Sequence, residues 1–268
     1  RNFKIKIPEA STCYPLWWSA LLYKHYEQAD DLMASQLKIP TLDIRINISL
    51  ISFSEYLKKI KDINYEIIDK KTNILSINDR IDPIDLPGYN EGLFWVQNRN
   101  AALSDTLVKL NSGQSIIDLC SAPGGKIFGF MATNPKLNFF ANDISAKRTS
   151  VLKENLNRLK FKATVTNMDL KDLSGKYDLV ILDPPCSSSG TVAKNNDLKL
   201  KSCDLETTCE LQEKLLKQSL ALLKSNSRLL YITCSIFPEE NNLMIEKFTL
   251  REILKLSVIS ILYECFDL

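Results

Sequence analysis

Glycine is scarce in this chain, and histidine is almost missing. Among 268 residues there are eight glycines and one histidine, His25. Set among Tyr23, Lys24 and Tyr26, His25 reads as a surface or packing residue rather than a catalyst. Cysteine is present seven times (Cys13, Cys120, Cys186, Cys203, Cys209, Cys234, Cys265), an odd number with no C-x-x-C pair. That pattern argues against a disulfide framework or a zinc cluster and reads as reduced thiols in a cytoplasmic protein, with no metal. No apolar run approaches the roughly 18 residues that would cross a bilayer, and no basic-then-apolar leader precedes a small-residue cleavage site. An excess of either charge is lacking too: the net charge is +2. A nucleic-acid partner then depends on a local patch, and one is readable from Ile144 to Lys176, with 8 basic and 3 acidic residues. A solvated surface helix accounts for that patch equally well.

What is present is concentrated. Six of the eight glycines lie between Gly113 and Gly190, so the demanding turns fall in one stretch. There, strands are expected at Ser115–Leu119, Leu137–Asn142, Ala163–Asn167, Tyr177–Leu182 and Leu229–Thr233. Helices are expected at Ala146–Leu159, where Leu152, Leu156 and Leu159 share a face, and at Glu206–Lys224. Strands alternating with helices imply a parallel sheet covered on both faces, an α/β fold of Rossmann-like kind. Ahead of it, Tyr14–Leu37 reads as helical. Segments Leu42–Ile48, Phe53–Ile60, Tyr65–Ile68 and Ile74–Ile77 then suggest a small α/β module. Pro83, Pro87, Gly88 and Gly92 mark a boundary, which divides the chain into residues 1–85 and 86–268.

The first strand runs into Asp118-Leu-Cys-Ser-Ala-Pro-Gly-Gly-Lys126. Gly124 and Gly125 allow a tight turn and close approach of a ligand, and the helix that follows offers unpaired N–H groups to an anionic end. The spacing is neither the dinucleotide G-x-G-x-x-G nor a Walker loop. Asp143 ends the second strand, 25 residues after Asp118, where a carboxylate can accept from both ribose hydroxyls. Asp169 follows the third strand and can reach an adenine edge. Each Asp alone could be a helix cap or loop residue. Four of them (Asp118, Asp143, Asp169, Asp183) at four successive strand ends are economically explained by a nucleoside cofactor.

Two further motifs put a cysteine at a strand end. Leu182-Asp-Pro-Pro-Cys-Ser-Ser-Ser-Gly-Thr191 carries Cys186, and Tyr231-Ile-Thr-Cys-Ser235, followed by Pro238-Glu-Glu-Asn241, carries Cys234. A lone buried cysteine is ordinarily an inert small hydrophobe. Both of these leave a strand for a serine-rich polar turn, where a thiol can be activated.

With these motifs the chain resembles the Sun/Fmu-type RNA (cytosine-5)-methyltransferases, above all their bacterial 16S ribosomal RNA branch, over about residues 14–248. The resemblance implies a Rossmann-like methyltransferase sheet with a small RNA-recognition-like module that begins near Ile39–Asn47. It implies S-adenosyl-L-methionine as cofactor, ribosomal RNA as partner, and a monomer. It places the cofactor on Cys120, Ser121, Ala122, Pro123, Gly124, Gly125 and Lys126, with Asp143, Asp169 and Asp183 as acidic contacts. Cys234 becomes the nucleophile, Cys186 the thiol that aids release, and Asp183 the group at the base's edge. The chemistry accounts for the thiols. Carbon 5 of cytosine is a poor nucleophile until a thiolate adds at carbon 6 and makes it enamine-like.

Departures from the family's pattern are Gln97-Asn-Arg-Asn100, Pro184, Lys194-Asn-Asn-Asp197 and Ser225-Asn-Ser227. The family's closing Gly-Asp-Gly-Phe-Phe-like segment has no counterpart in the 27 residues after Asn241, and residue 1 is Arg. Missing C-terminal strands, an exposed sheet edge and an absent N-terminal domain are the corresponding expectations. Two alternatives stay open. A degenerate remnant would bind cofactor or RNA without turnover. An exocyclic amino methyltransferase would use Asp183-Pro-Pro without a thiol, although Cys186 stands where such enzymes carry an aromatic residue.

Overall fold

A computed structural model describes the backbone at residues 13–200, 204–252 and 258–261, with side chains at 13–200 and 204–247. Helices α1 (Leu16–His25) and α2 (Ala29–Ser35) lead into β1 (Leu42–Ile46), α3 (Phe53–Lys59), β2 (Tyr65–Asp69), β3 (Ile74–Ile77) and β4 (Phe94–Val96). Then come β5 (Ser115–Asp118), α4 (Gly125–Thr133), β6 (Asn138–Asn142), α5 (Ala146–Arg158), β7 (Thr164–Thr166) and β8 (Tyr177–Leu182). Helix α6 (Leu205–Leu220), β9 (Leu223–Ile232), α7 (Asn242–Glu252) and β10 (Val258–Ile261) complete the described chain.

The strands form two sheets. Strands β2-β3-β1-β4 make an antiparallel four-stranded sheet, and β10-β9-β8-β5-β6-β7 an all-parallel six-stranded one. Parallel strands need crossovers, and the helices supply them on both faces. Along β8, Leu179 and Ile181 face the layer of Ile127, Phe128 and Met131 from α4 and of Leu152 and Leu156 from α5. Val180 and Leu182 face the other way, toward Leu216 of α6 and Met244 of α7. This alternation sets the strand's register. Local signals agree with it: Ser145 caps α5 by accepting from Arg148 N at 3.3 Å, and Asp204 caps α6 by accepting from Thr207 N at 3.1 Å.

Three expectations need correction. The helix expected over Tyr14–Leu37 is broken after His25, although no proline or glycine lies there. The break lets Tyr26 Oη donate to Ile236 O at 2.7 Å and seats Trp18 edge-on against Phe237, centroids 5.2 Å apart. The helix expected through Lys224 ends at Leu220, and β9 begins at Leu223. Its irregular start contains Asn226 at φ +59°, and Lys224 Nζ turns back to Asp178 at 2.7 Å. At the far edge, Val258–Ile261 pairs in parallel with β9, so an added strand covers the edge expected to be open. No antiparallel strand joins the large sheet among the described residues. Cys203 and Cys265 lie outside them.

Candidate active site

Strands β5, β6, β8 and β9 all run the same way, so the motifs that follow them gather at one rim. The turn after β5 needs glycine at position 124: φ is +112°, and a Cβ there would lie 2.0 Å from the Phe128 ring. Ser121 N donates to Asn142 O at 2.9 Å, which ties the turn to the end of β6. Asp143, almost wholly buried, accepts from Ala122 N at 3.2 Å and from Ser145 N at 3.0 Å, and Arg148 stands 3.3 Å away. Its carboxylate therefore clamps the turn. Asp169 caps the short helical turn at Leu170–Asp172, accepts from Lys171 N at 3.1 Å and is partly exposed; no hydrogen bond joins it to the glycine turn.

Beneath the turn, both carboxyl oxygens of Asp118 and the hydroxyl of Ser121 are buried without a well-formed hydrogen bond. Burial, reinforced by the charge of Asp183, pushes the Asp118 carboxyl up to about 7. Buried polar groups are nearly always paired in folded proteins. These buried groups, at the strand end that enters the glycine turn, fit a polar ligand with donor groups at its end. Beside them, burial drives the Cys120 thiol up to about 12, which leaves it inert.

The two strand-end thiols meet. Cys186 Sγ and Cys234 Sγ are 3.3 Å apart. Their loops touch because Gly190 N donates to Cys234 O at 2.8 Å, and a Cβ on Gly190 would crowd that same oxygen at 2.8 Å. Three hydroxyls cross-link the loops: Ser187 to Ser189 at 3.0 Å, Ser187 to Ser235 at 3.0 Å, and Ser189 to Ser235 at 2.9 Å. A thiol donating to its neighbour stabilises that neighbour's thiolate. The Cys234 thiol is accordingly pushed down, chiefly by Cys186 and in part by Ser188 and Lys126, against the opposing effects of burial and Asp183. Cys186 moves up, because it keeps its proton and is buried. Lys126 and Asp183, from the glycine turn and the Pro-Cys motif, form an ion pair between the two halves of the rim.

Sequence reasoning missed several residues here. Glu240, fully buried, accepts from Ser187 N and Gln212 Nε2, each at 2.8 Å, and from the Ser187 hydroxyl. Asn241 donates to Ser235 O at 2.8 Å and Phe237 O at 3.0 Å and accepts from Thr233 Oγ1 at 2.5 Å. Both stood in the quoted Pro238–Asn241 segment, whose density of polar residues behind an apolar strand was the available signal. Ile144, 68% exposed just past Asp143, offers an apolar surface at the rim. His25 Nε2 lies 2.7 Å from Glu239 Oε1, as a packing residue that fastens α1 behind the Cys234 loop.

The all-parallel sheet, with the glycine turn at its carboxyl rim, defines a Rossmann-like fold. A methyltransferase homologue from Pyrococcus horikoshii superposes with TM-score 0.77 at 22% identity, covering 92% of this chain and 84% of that one. NSun6 from Pyrococcus horikoshii, solved with SFG, gives 0.79 at 18% identity, covering 89% and 88%. Residues 105–262 match the model of the family described as 16S rRNA methyltransferase RsmB/F, and the chain belongs to that family. The probable ribosomal RNA small subunit methyltransferase B of Coxiella burnetii is 29% identical over 261 residues, and its Proteus mirabilis counterpart 31% over 245. These alignments take in 92% and 88% of this chain but only 61% and 58% of the relatives' own lengths. No described helix is long and apolar enough to cross a membrane, and no metal-binding cluster occurs among the described residues.

Proposed function

We propose that this chain methylates carbon 5 of cytosine in ribosomal RNA through a covalent bond between Cys234 and the base. The observation that carries the reading is the pair of thiols 3.3 Å apart beside the Lys126–Asp183 ion pair and the glycine turn. Cys120–Lys126 and Asp143 would hold S-adenosylmethionine, with Asp169 beyond them, and the orphaned Asp118 and Ser121 supply acceptors for its amino end. When bound, this cofactor supplies an electrophilic methyl group. Cys234 thiolate adds to carbon 6, forming an S–C bond, and the ring electrons move toward carbon 5 and N3. Asp183 accepts from the amino group at position 4, and Lys126 brings positive charge to the same edge. Once carbon 5 carries the methyl group, a water takes its proton, the double bond to carbon 6 re-forms, and the S–C6 bond breaks to return Cys234 as thiolate. Cys186, within hydrogen-bond reach of that sulfur, assists the departure. A cytosine must leave its helix to reach the rim, so unpaired bases are preferred. In this reading the small N-terminal sheet presents the RNA.

Labelled S-adenosylmethionine, total cellular RNA and nucleoside analysis test the proposal. The label is expected in 5-methylcytosine. Its appearance in N4-methylcytosine or a methylated adenine would overturn the assignment in favour of exocyclic amino transfer, and no transfer would favour a binding remnant. Asp143→Ala should weaken S-adenosylhomocysteine binding by more than about tenfold in calorimetry, because it removes two backbone contacts and the charge facing Arg148. Equal affinity would remove Asp143 from the site.

A further inference from the structure

Helix α4 is held from outside by a hydrogen bond at Gly125 and by close packing at Gly129. Gln97, 5% exposed and just past β4, donates from Nε2 to Gly125 O at 2.8 Å. Its other end is committed: Oε1 accepts from Trp95 Nε1 at 3.1 Å and from Arg45 Nη1 at 3.4 Å. An amide whose oxygen serves two donors cannot flip, so its nitrogen must face Gly125. Arg45, on β1, ends in a two-point ion pair with Asp105 at 2.7 and 2.9 Å, both side chains only 2% exposed. The guanidinium fits because position 129 is glycine; a Cβ there would stand 2.5 Å from Nη1. Residues 125 and 129 lie one turn apart on the same face of α4. Arg45 and Trp95 are directly paired across β1 and β4, so the register of the small sheet fixes both grips.

A turn with two adjacent glycines has much conformational freedom to lose, and its N–H groups serve a ligand only if they already point at it. We propose that Gln97 and Arg45 are positioning residues for the cofactor turn, so that the small sheet sets cofactor affinity without touching the cofactor. This rests on reading the Gly124–Lys126 turn as the cofactor site. It adds a second task to the small sheet, separate from any contact with RNA.

The test uses the full 268-residue chain. Gln97→Met removes the bond to Gly125 at nearly constant volume. Gln97→Glu removes the same donor but keeps an oxygen for Arg45 and Trp95. Both variants are expected to bind S-adenosylhomocysteine about tenfold more weakly in calorimetry, the usual size of one buried hydrogen bond. In steady-state assays the KM for S-adenosylmethionine should rise while kcat and the KM for RNA stay near wild type. A merely structural role would lower thermal stability without this split. Amide exchange of the ligand-free chain should quicken at Gly124–Phe128 and not in β8 or β9. Wild-type cofactor affinity in both folded variants, unchanged exchange at the turn, or an equal loss of RNA affinity would overturn the proposal. If exchange quickens but the wild-type chain binds no S-adenosylhomocysteine, the cofactor reading of the turn falls, and the positioning role falls with it.

Discussion

Cys234→Ala is expected to abolish methyl transfer, by at least about four orders of magnitude, together with any covalent protein–RNA adduct. Cys186→Ala should instead form the adduct and fail to resolve it, so that an RNA-bound band resistant to denaturing gels accumulates and requires both Cys234 and S-adenosylmethionine. In the proposed mechanism Cys234 attacks and Cys186, 3.3 Å away, holds the proton. Serine at either position should behave like alanine, because a hydroxyl without a partnered base is a poor nucleophile. A pH dependence follows. The reactive form is the thiolate, so adduct formation in the wild type should climb with pH and reach its plateau below the ordinary thiol range. In Cys186→Ala the S–H donor is gone, Cys234 returns toward the ordinary thiol range, and the midpoint should move to higher pH. Adduct trapped in Cys234→Ala and lost in Cys186→Ala would reverse the roles. A wild type that methylates while neither variant traps RNA would remove the covalent mechanism.

Glu240→Ala should be the most destabilising polar change at the rim, costing about 3 kcal/mol and lowering Tm by roughly 5–10 °C. The carboxylate is fully buried and satisfies Ser187 N, the Ser187 hydroxyl and Gln212 Nε2. Its removal orphans these donors in a dry interior. The loop they anchor carries Cys186, so the variant should also accumulate unresolved adduct, at temperatures where it is folded. Glu240→Gln keeps an oxygen at Oε1 for both Ser187 N and Gln212 Nε2, loses only the acceptor for the Ser187 hydroxyl, and should cost less than half as much stability. Thermal unfolding followed by circular dichroism checks the order. An alanine variant as stable as wild type would mean that water replaces the carboxylate and that Glu240 does not hold the loop.

Much of the large sheet was legible. The apolar run Tyr177–Leu182 marks a strand without ambiguity, because a central parallel strand buries both faces. The small sheet was less so. Its last strand, Phe94–Val96, is three residues long and gains its identity only by pairing with β1 nearly fifty residues earlier in the chain. The break after His25 carries no local signal, since the forces that make it are Tyr26 and Trp18 reaching the loop after Cys234. Within the site, Cys186 and Cys234 were recognisable as strand-end thiols, while Gln97, Glu240 and Asn241 were not assigned. Their work consists of hydrogen bonds to backbone atoms distant in sequence.

By itself the sequence determined the class of fold, the glycine turn with its acidic strand ends, and the placement of two cysteines on one rim. Those properties follow from period, turn chemistry and strand direction, all short-range. Only the tertiary structure decided that the two sulfurs stand within 3.3 Å and that Asp143 clamps the turn. Each of these depends on ångström-scale distances and burial between segments that no local pattern relates, set by how the sheet's helices and the small antiparallel sheet pack around the rim.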